Sequence, residues 1–215
     1  MTFPTVREFA QALETQPLDD VARNFILGGT PYVFRDDPAA LEHLIAHLTA
    51  ELPVGEDDIR IIGSARIGFS LDPTNFPRPF GSGSDLDIVV VNADLFDLVW
   101  YTMLKWHYPR RIGSLPSTER RWSTTRRKEL YWGWFRPEAI RYSGLSRLAM
   151  LAPVQELSTQ WFNAFQSLSV YPELAPYQAS GRLYRSWEHV LMYHVDGLRQ
   201  LREIVVELGG ASGVQ

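Results

Sequence analysis

The 215-residue sequence contains no cysteine, which excludes disulfides and thiolate metal sites and points to a reducing compartment. No apolar run approaches the length needed to span a bilayer, and the N-terminus lacks a basic-then-apolar leader pattern. A cytoplasmic protein without a membrane partner is therefore expected. Several catalytic signatures are missing as well: G-x-x-x-x-G-K-[ST], H-E-x-x-H, G-x-S-x-G and the dinucleotide glycine fingerprint are all absent. No aspartate occurs between Asp97 and Asp196, and no segment repeats.

What is present is ordinary in bulk and uneven in placement. A hydrophobic content of 45% and a charged content of 21% suit a soluble globular chain, long enough for one substantial domain with a helical annex. The net charge of −4 hides an asymmetry: residues 1–100 hold 16 acids and 6 bases (−10), and residues 101–215 hold 9 acids and 15 bases (+6). Residues 105–128 alone carry 8 bases, among them Arg110, Arg111, Arg120, Arg121, Arg126, Arg127 and Lys128, against the single acid Glu119. Such a segment can hold a triphosphate or a nucleic acid, or it can be a solvated loop that balances the acidic half.

The informative stretch runs from residue 59 to residue 91. Two β-branched apolar runs, 59–62 and 86–91, have the length and composition of buried strands. The first ends at Gly63-Ser64; the second is approached through Ser84, Asp85 and Asp87. Strand alternation puts Asp85 and Asp87 on one face, followed by Val89 and Val91, and puts Leu86, Ile88 and Val90 on the other. Two carboxylates at the mouth of an apolar strand repel each other and are costly to desolvate. A hard divalent cation relieves both, and Mg²⁺, or Mn²⁺ in its place, is the natural candidate. Gly63 allows a sharp turn and the close approach of a ligand. Ser64 is expected to cap a short helix over 65–71 and to offer its hydroxyl to a phosphate; Arg66 follows it.

A strand, Gly-Ser, a helix and then Asp-x-Asp on the next strand resembles the DNA polymerase beta-like nucleotidyltransferase superfamily, including uncharacterised bacterial minimal nucleotidyltransferase-like proteins within it. Gly63, Ser64, Asp85 and Asp87 carry the resemblance, which covers roughly a sixth of the chain. It implies a mixed α/β (α+β) sheet flanked by helices, with Asp85 and Asp87 as metal ligands, and with Gly63, Ser64, Arg66 and Ser84 around the nucleotide. It also implies a third carboxylate on a later strand. The chain departs from the pattern in its spacer, since 20 residues separate Ser64 from Asp85 and the loop 72–83 makes up the excess.

The aromatic-rich run 129–135 reads as that later strand, with a bulge or close backbone approach at Gly133. Glu129, at its start, is the preferred third carboxylate and Glu138 the runner-up; if neither serves, nucleotide is bound without transfer. Helices are expected over 5–14, with a Thr5/Glu8 capping box, over 18–27, over 37–52, with Asp37 as cap and Pro38 in the first turn, and over 94–106. Residues 107–127 read as irregular, broken by Pro109, Gly113 and Pro116. Helices over 145–168, divided or kinked at Pro153, and over 183–208 complete the chain. The organisation expected is an N-terminal helical segment (1–29), a nucleotidyltransferase-like core (30–142), a helical C-terminal portion (143–208) and a disordered tail (209–215).

The expected function is Mg²⁺-dependent transfer of a nucleoside monophosphate from an NTP or dNTP to a hydroxyl of unspecified kind on a protein, nucleic acid, nucleotide or small molecule. Two alternatives stand beside it: a degenerate nucleotide-binding module that regulates a partner, and a nucleic-acid-binding protein that uses residues 105–128.

Overall fold

The computed structural model describes residues 3–81, 83–108, 117–140 and 149–212. It has the expected mixed α+β architecture: a four-stranded sheet flanked by helices, ending in a helical C-terminal portion.

The first helices form where their local signals place them. Helix α1 (Val6–Thr15) starts at the capping box, with the Glu8 N–H donating to Thr5 Oγ1 at 3.2 Å and the Thr5 N–H donating to the Glu8 carboxylate at 2.7 Å. Helix α2 (Leu18–Val21) widens into a π-helical turn, Ala22–Leu27, that ends at Gly28. Helix α3 (Pro38–Glu51) is capped by Asp37, whose Oδ1 accepts the Ala40 N–H at 3.3 Å. Strand β1 (Ile59–Ile62) leads into α4 (Gly63–Ile67), which stops earlier than expected because Gly68, at φ 98°, closes it. Strand β2 (Asp85–Val91) and helix α5 (Ala93–His107) follow.

The remaining elements are α6 (Ser117–Tyr131), β3 (Trp134–Phe135), α7 (Ala152–Ser167), β4 (Gln178–Tyr184) and α8 (Trp187–Ser212). The sheet order is β1-β2-β4-β3; β1 is antiparallel to β2, β2 parallel to β4, and β4 antiparallel to β3.

Strand β2 is buried on both faces, and its alternation sorts the core. Leu86, Ile88 and Val90 join Ile59, Ile61 and Leu183 in a cluster with α3, α5 and α7. Val89 and Val91 join Ile62 and Tyr184 in a second cluster with α1, the π-turn and α8. The loop before β2 is built into this second layer, with Phe69 and Phe76 packing on Phe9 of α1 at ring separations of 5.5 and 6.4 Å. The excess spacer is thus a packed loop that holds α1 to the sheet.

Several expectations are corrected. Residues 117–131 are helical, because the Arg/Lys/Glu-rich run favours a helix until Gly133, at φ 74°, ends it. The strand expected over 129–135 shrinks to Trp134–Phe135. Residues 178–184 form β4, a central strand, where a loop and the start of a helix were expected. Its alternation is masked by small and polar residues, and α8 begins only after Ser186, whose hydroxyl accepts the His189 N–H at 3.4 Å. Pro153 lies in the first turn of α7 and not at a kink. Helix α8 continues through Ser212, into the segment expected to be disordered. Pro109, Gly113 and Pro116, Arg110 and Arg111, residues 145–148 of the expected α7 and residues 213–215 lie outside the described residues. Among the described residues no helix is long and apolar enough to cross a membrane.

Gly181 lets α7 rest directly on β4: a Cβ there would lie 2.2 Å from Phe165 Cζ and 2.8 Å from Trp161 Cζ2. Gly181→Val is therefore expected to lower folding stability by roughly 1–3 kcal/mol through overpacking. An unchanged urea midpoint for this variant would contradict the packing.

Candidate functional site

The end of β1 and the start of β2 meet at one edge of the sheet. Ile62 pairs with Asp87 in the antiparallel register, and the chain turns at Gly63 with φ 66°. A Cβ on Gly63 would stand 3.0 Å from Asp87 Oδ2. Glycine is thus required twice, for a left-handed backbone and for the close approach of a carboxylate. Ser64 is half-buried in α4, just past the turn. It is not the helix cap: Ile62 holds that position and makes no side-chain capping bond. Ser84 has a structural use, its Oγ accepting the Gly81 N–H at 3.1 Å to close the turn before β2.

The two aspartates share a face but differ in environment. Asp85 is exposed at the open end of β2, whereas Asp87 is half-buried. Burial raises the Asp87 carboxyl above the ordinary range, a hydrogen bond from Ser180 and the charges of Arg182 and Arg136 oppose the rise, and Asp85 adds to it. Ser180 lies opposite Asp87 in the parallel register and donates its hydroxyl to Oδ1 at 3.2 Å. Arg182, next on the same face of β4, donates to the Tyr193 hydroxyl at 2.6 Å and lies 5.2 Å from the ring centres of both Trp134 and Tyr193. Sequence reasoning missed Ser180 and Arg182. The signal that could have found them is the alternation of Ser180, Arg182 and Tyr184 with Ala179, Gly181 and Leu183.

The donor set suits a hard cation of partial protein coordination. Mg²⁺ commonly takes one or two carboxylates and completes its shell with water and phosphate oxygens, and a desolvated carboxylate beside a second one gains from a bound positive charge. Asp85 and Asp87 are the residues that would hold it.

Glu129 does not join Asp85 and Asp87 in a three-carboxylate metal-binding group among the described residues. It sits in the last turn of α6, buried, with its Oε2 2.7 Å from Arg126 Nη1 in an ion pair that lacks hydrogen-bond alignment. Burial pushes its carboxyl up to about 7, against the pull of Arg126, Arg136 and Arg182. Glu138 pairs with Arg136 at 3.3 Å on a short 3₁₀ turn. Among the described residues no three His, Asp or Glu side chains gather into a metal-binding group, and β4, the strand beside β2, carries no acid.

The basic segment divides by helix face. Arg120, Arg121, Arg127 and Lys128 are exposed on α6, while Arg126 turns inward to Glu129. Arg66 points away from the aspartates: its Nη1 donates to the Thr30 carbonyl oxygen, and no acidic charge contributes to its titration.

Comparison of the chain with protein-family models, with characterised proteins and with solved structures finds no match. The nucleotidyltransferase resemblance accordingly rests on Gly63, Ser64, Asp85 and Asp87.

Glu129 carries a pH signature. Its folded-state pKa of about 7 lies above the ordinary 4.5, so its contribution favours the folded state fully below 4.5 and is lost as the pH rises through 7. Stability is expected to fall across this window, and Glu129→Gln is expected to flatten the fall. Urea midpoints measured from about pH 5 to 8 check this; identical slopes in the two proteins would refute it.

Proposed function

We propose that this chain binds a nucleoside triphosphate with Mg²⁺ or Mn²⁺ at Gly63, Ser64, Asp85 and Asp87 and transfers the nucleoside monophosphate to a hydroxyl acceptor. The observation that supports the reading is the closeness of the Gly63 turn to the Asp87 carboxylate, which would let backbone donors at the turn and the aspartate pair act on one ligand. In this reading the backbone N–H groups and the hydroxyl at Gly63-Ser64 hold the triphosphate tail. Asp85 and Asp87 fix the cation, and Ser180 orients Asp87. The acceptor oxygen bonds to the α-phosphorus as the bond to the departing pyrophosphate breaks, and the acceptor proton passes to solvent. The metal would supply charge neutralisation at the attacking and leaving oxygens.

A second reading keeps the binding and drops the transfer, leaving a nucleotide-binding module that regulates a partner. It is favoured by β4, a later strand beside β2 that carries no carboxylate and places Ser180 opposite Asp87. Asp85→Asn together with Asp87→Asn should weaken Mg²⁺–ATP binding by at least about tenfold and leave the circular dichroism spectrum unchanged. Unaltered affinity in calorimetry refutes both readings. Mass spectrometry after incubation with all NTPs, dNTPs and Mg²⁺ or Mn²⁺ separates the two. A nucleotidylated product supports transfer; binding without product, with turnover appearing in Ser180→Asp, supports the second.

The exposed cations of α6 support a polyanionic acceptor or partner. Changing Arg120, Arg121, Arg127 and Lys128 to Ser should flatten the salt dependence of oligonucleotide binding by a slope of roughly 0.7–0.9 per lost phosphate contact. Nucleotide binding at Gly63-Ser64 should change far less. An unchanged slope assigns these residues to solvation alone.

A further inference from the structure

Arg66 is 7% exposed, yet among the described residues no carboxylate pairs with it. Its Nη1 donates to the Thr30 carbonyl oxygen, and among the described residues its buried Nε has no hydrogen-bond partner. Burial is the sole influence on its titration, holding it below the usual arginine range. Buried charges are ordinarily paired, because a guanidinium removed from water without a counterion is costly. The backbone is shaped around this side chain: Gly29, at φ 75°, passes so near that a Cβ would lie 2.9 Å from Nη2.

Arg66 lines a cavity of about 650 Å³ between α1, the π-turn and the Gly29-Thr30 connector. That volume is within the range of small-molecule sites. Phe3, Pro4 and Phe25 supply apolar wall, and Gln11 and Asn24 supply amide groups. Glu8 also lines the cavity, but its carboxylate is engaged by the N–H and hydroxyl of Thr5.

We propose that this cavity binds a small organic oxyanion, its carboxylate or phosphate group paired with Arg66 and its body laid against Phe3, Pro4 and Phe25. A planar guanidinium with unused N–H donors matches either head group bidentately. The negative charge of Glu8 in the same cavity disfavours polyanions, which separates this site chemically from one for a triphosphate. Arg66 and Ser64 share one short helix, so an occupant of the cavity bears on the turn at Gly63. The site does not depend on the nucleotide reading.

Phenyl phosphate and benzoate, titrated separately into the full chain to millimolar concentration, test the site by nuclear magnetic resonance. Saturable shifts are expected at the Gly29 and Thr30 amides and at the Arg66 side-chain Nε–H. Whichever probe binds identifies the head group. Arg66→Gln should weaken binding about ten- to hundredfold, the scale of a charged hydrogen-bonded contact. Asn24 is exposed at the cavity wall, so Asn24→Trp should obstruct binding without touching Arg66, and it decides the matter should Arg66→Gln fail to fold. No saturable shift with either probe, or wild-type affinity in either folded variant, overturns the proposal.

Discussion

The structure depends on β2 being buried on both faces. Leu86 and the unbroken run Ile88, Val89, Val90 and Val91, on either side of Asp87, are sequestered between helices on opposite sides of the sheet. At about 1.5–3 kcal/mol for each fully buried aliphatic side chain, this strand outweighs the cost of carrying a carboxylate inward with it. Asp87 is half-buried because its neighbours along the strand are buried completely. β1 and β4 flank it and pair its backbone on both sides.

Electrostatics then organises the opening at the mouth of β2. The glycine at position 63 brings the turn against Asp87, and Ser180 and Arg182 arrive from β4 through the parallel register. Arg136 and Arg182 act on both Asp87 and Glu129. Glu129 is ion-paired with Arg126 from its own helix, and Arg182 lies near the rings of both Trp134 and Tyr193. Asp87 therefore has cations beside it from two later segments. That is a setting suited to an anionic ligand that brings its own metal.

Arg66 illustrates how a few residues can divide between two surfaces. Gly63 faces the aspartates, while Arg66, in the same turn of helix, faces the N-terminal layer. A five-residue helix rotates its side chains through more than a full turn, so adjacency in sequence to Gly63-Ser64 says little about which cavity a side chain lines.

Local chemistry determined much of what the sequence shows by itself. The Thr5/Glu8 box, the Asp37 cap, the alternation along β2 and the left-handed turn at Gly63 each depend on residues a few positions apart at most, and each formed as expected. Tertiary packing decided the rest. Residues 178–184 became a strand because β2 offered an unpaired edge and Gly181 admitted α7, neither of which is visible in Gln-Ala-Ser-Gly-Arg-Leu-Tyr. Glu129 remained helical because the polar run before it favours a helix, and the packing of α6 against β3 is not something its own residues display. Which residues stand opposite Asp87 is a matter of register between segments some ninety residues apart, and only the assembled sheet sets that.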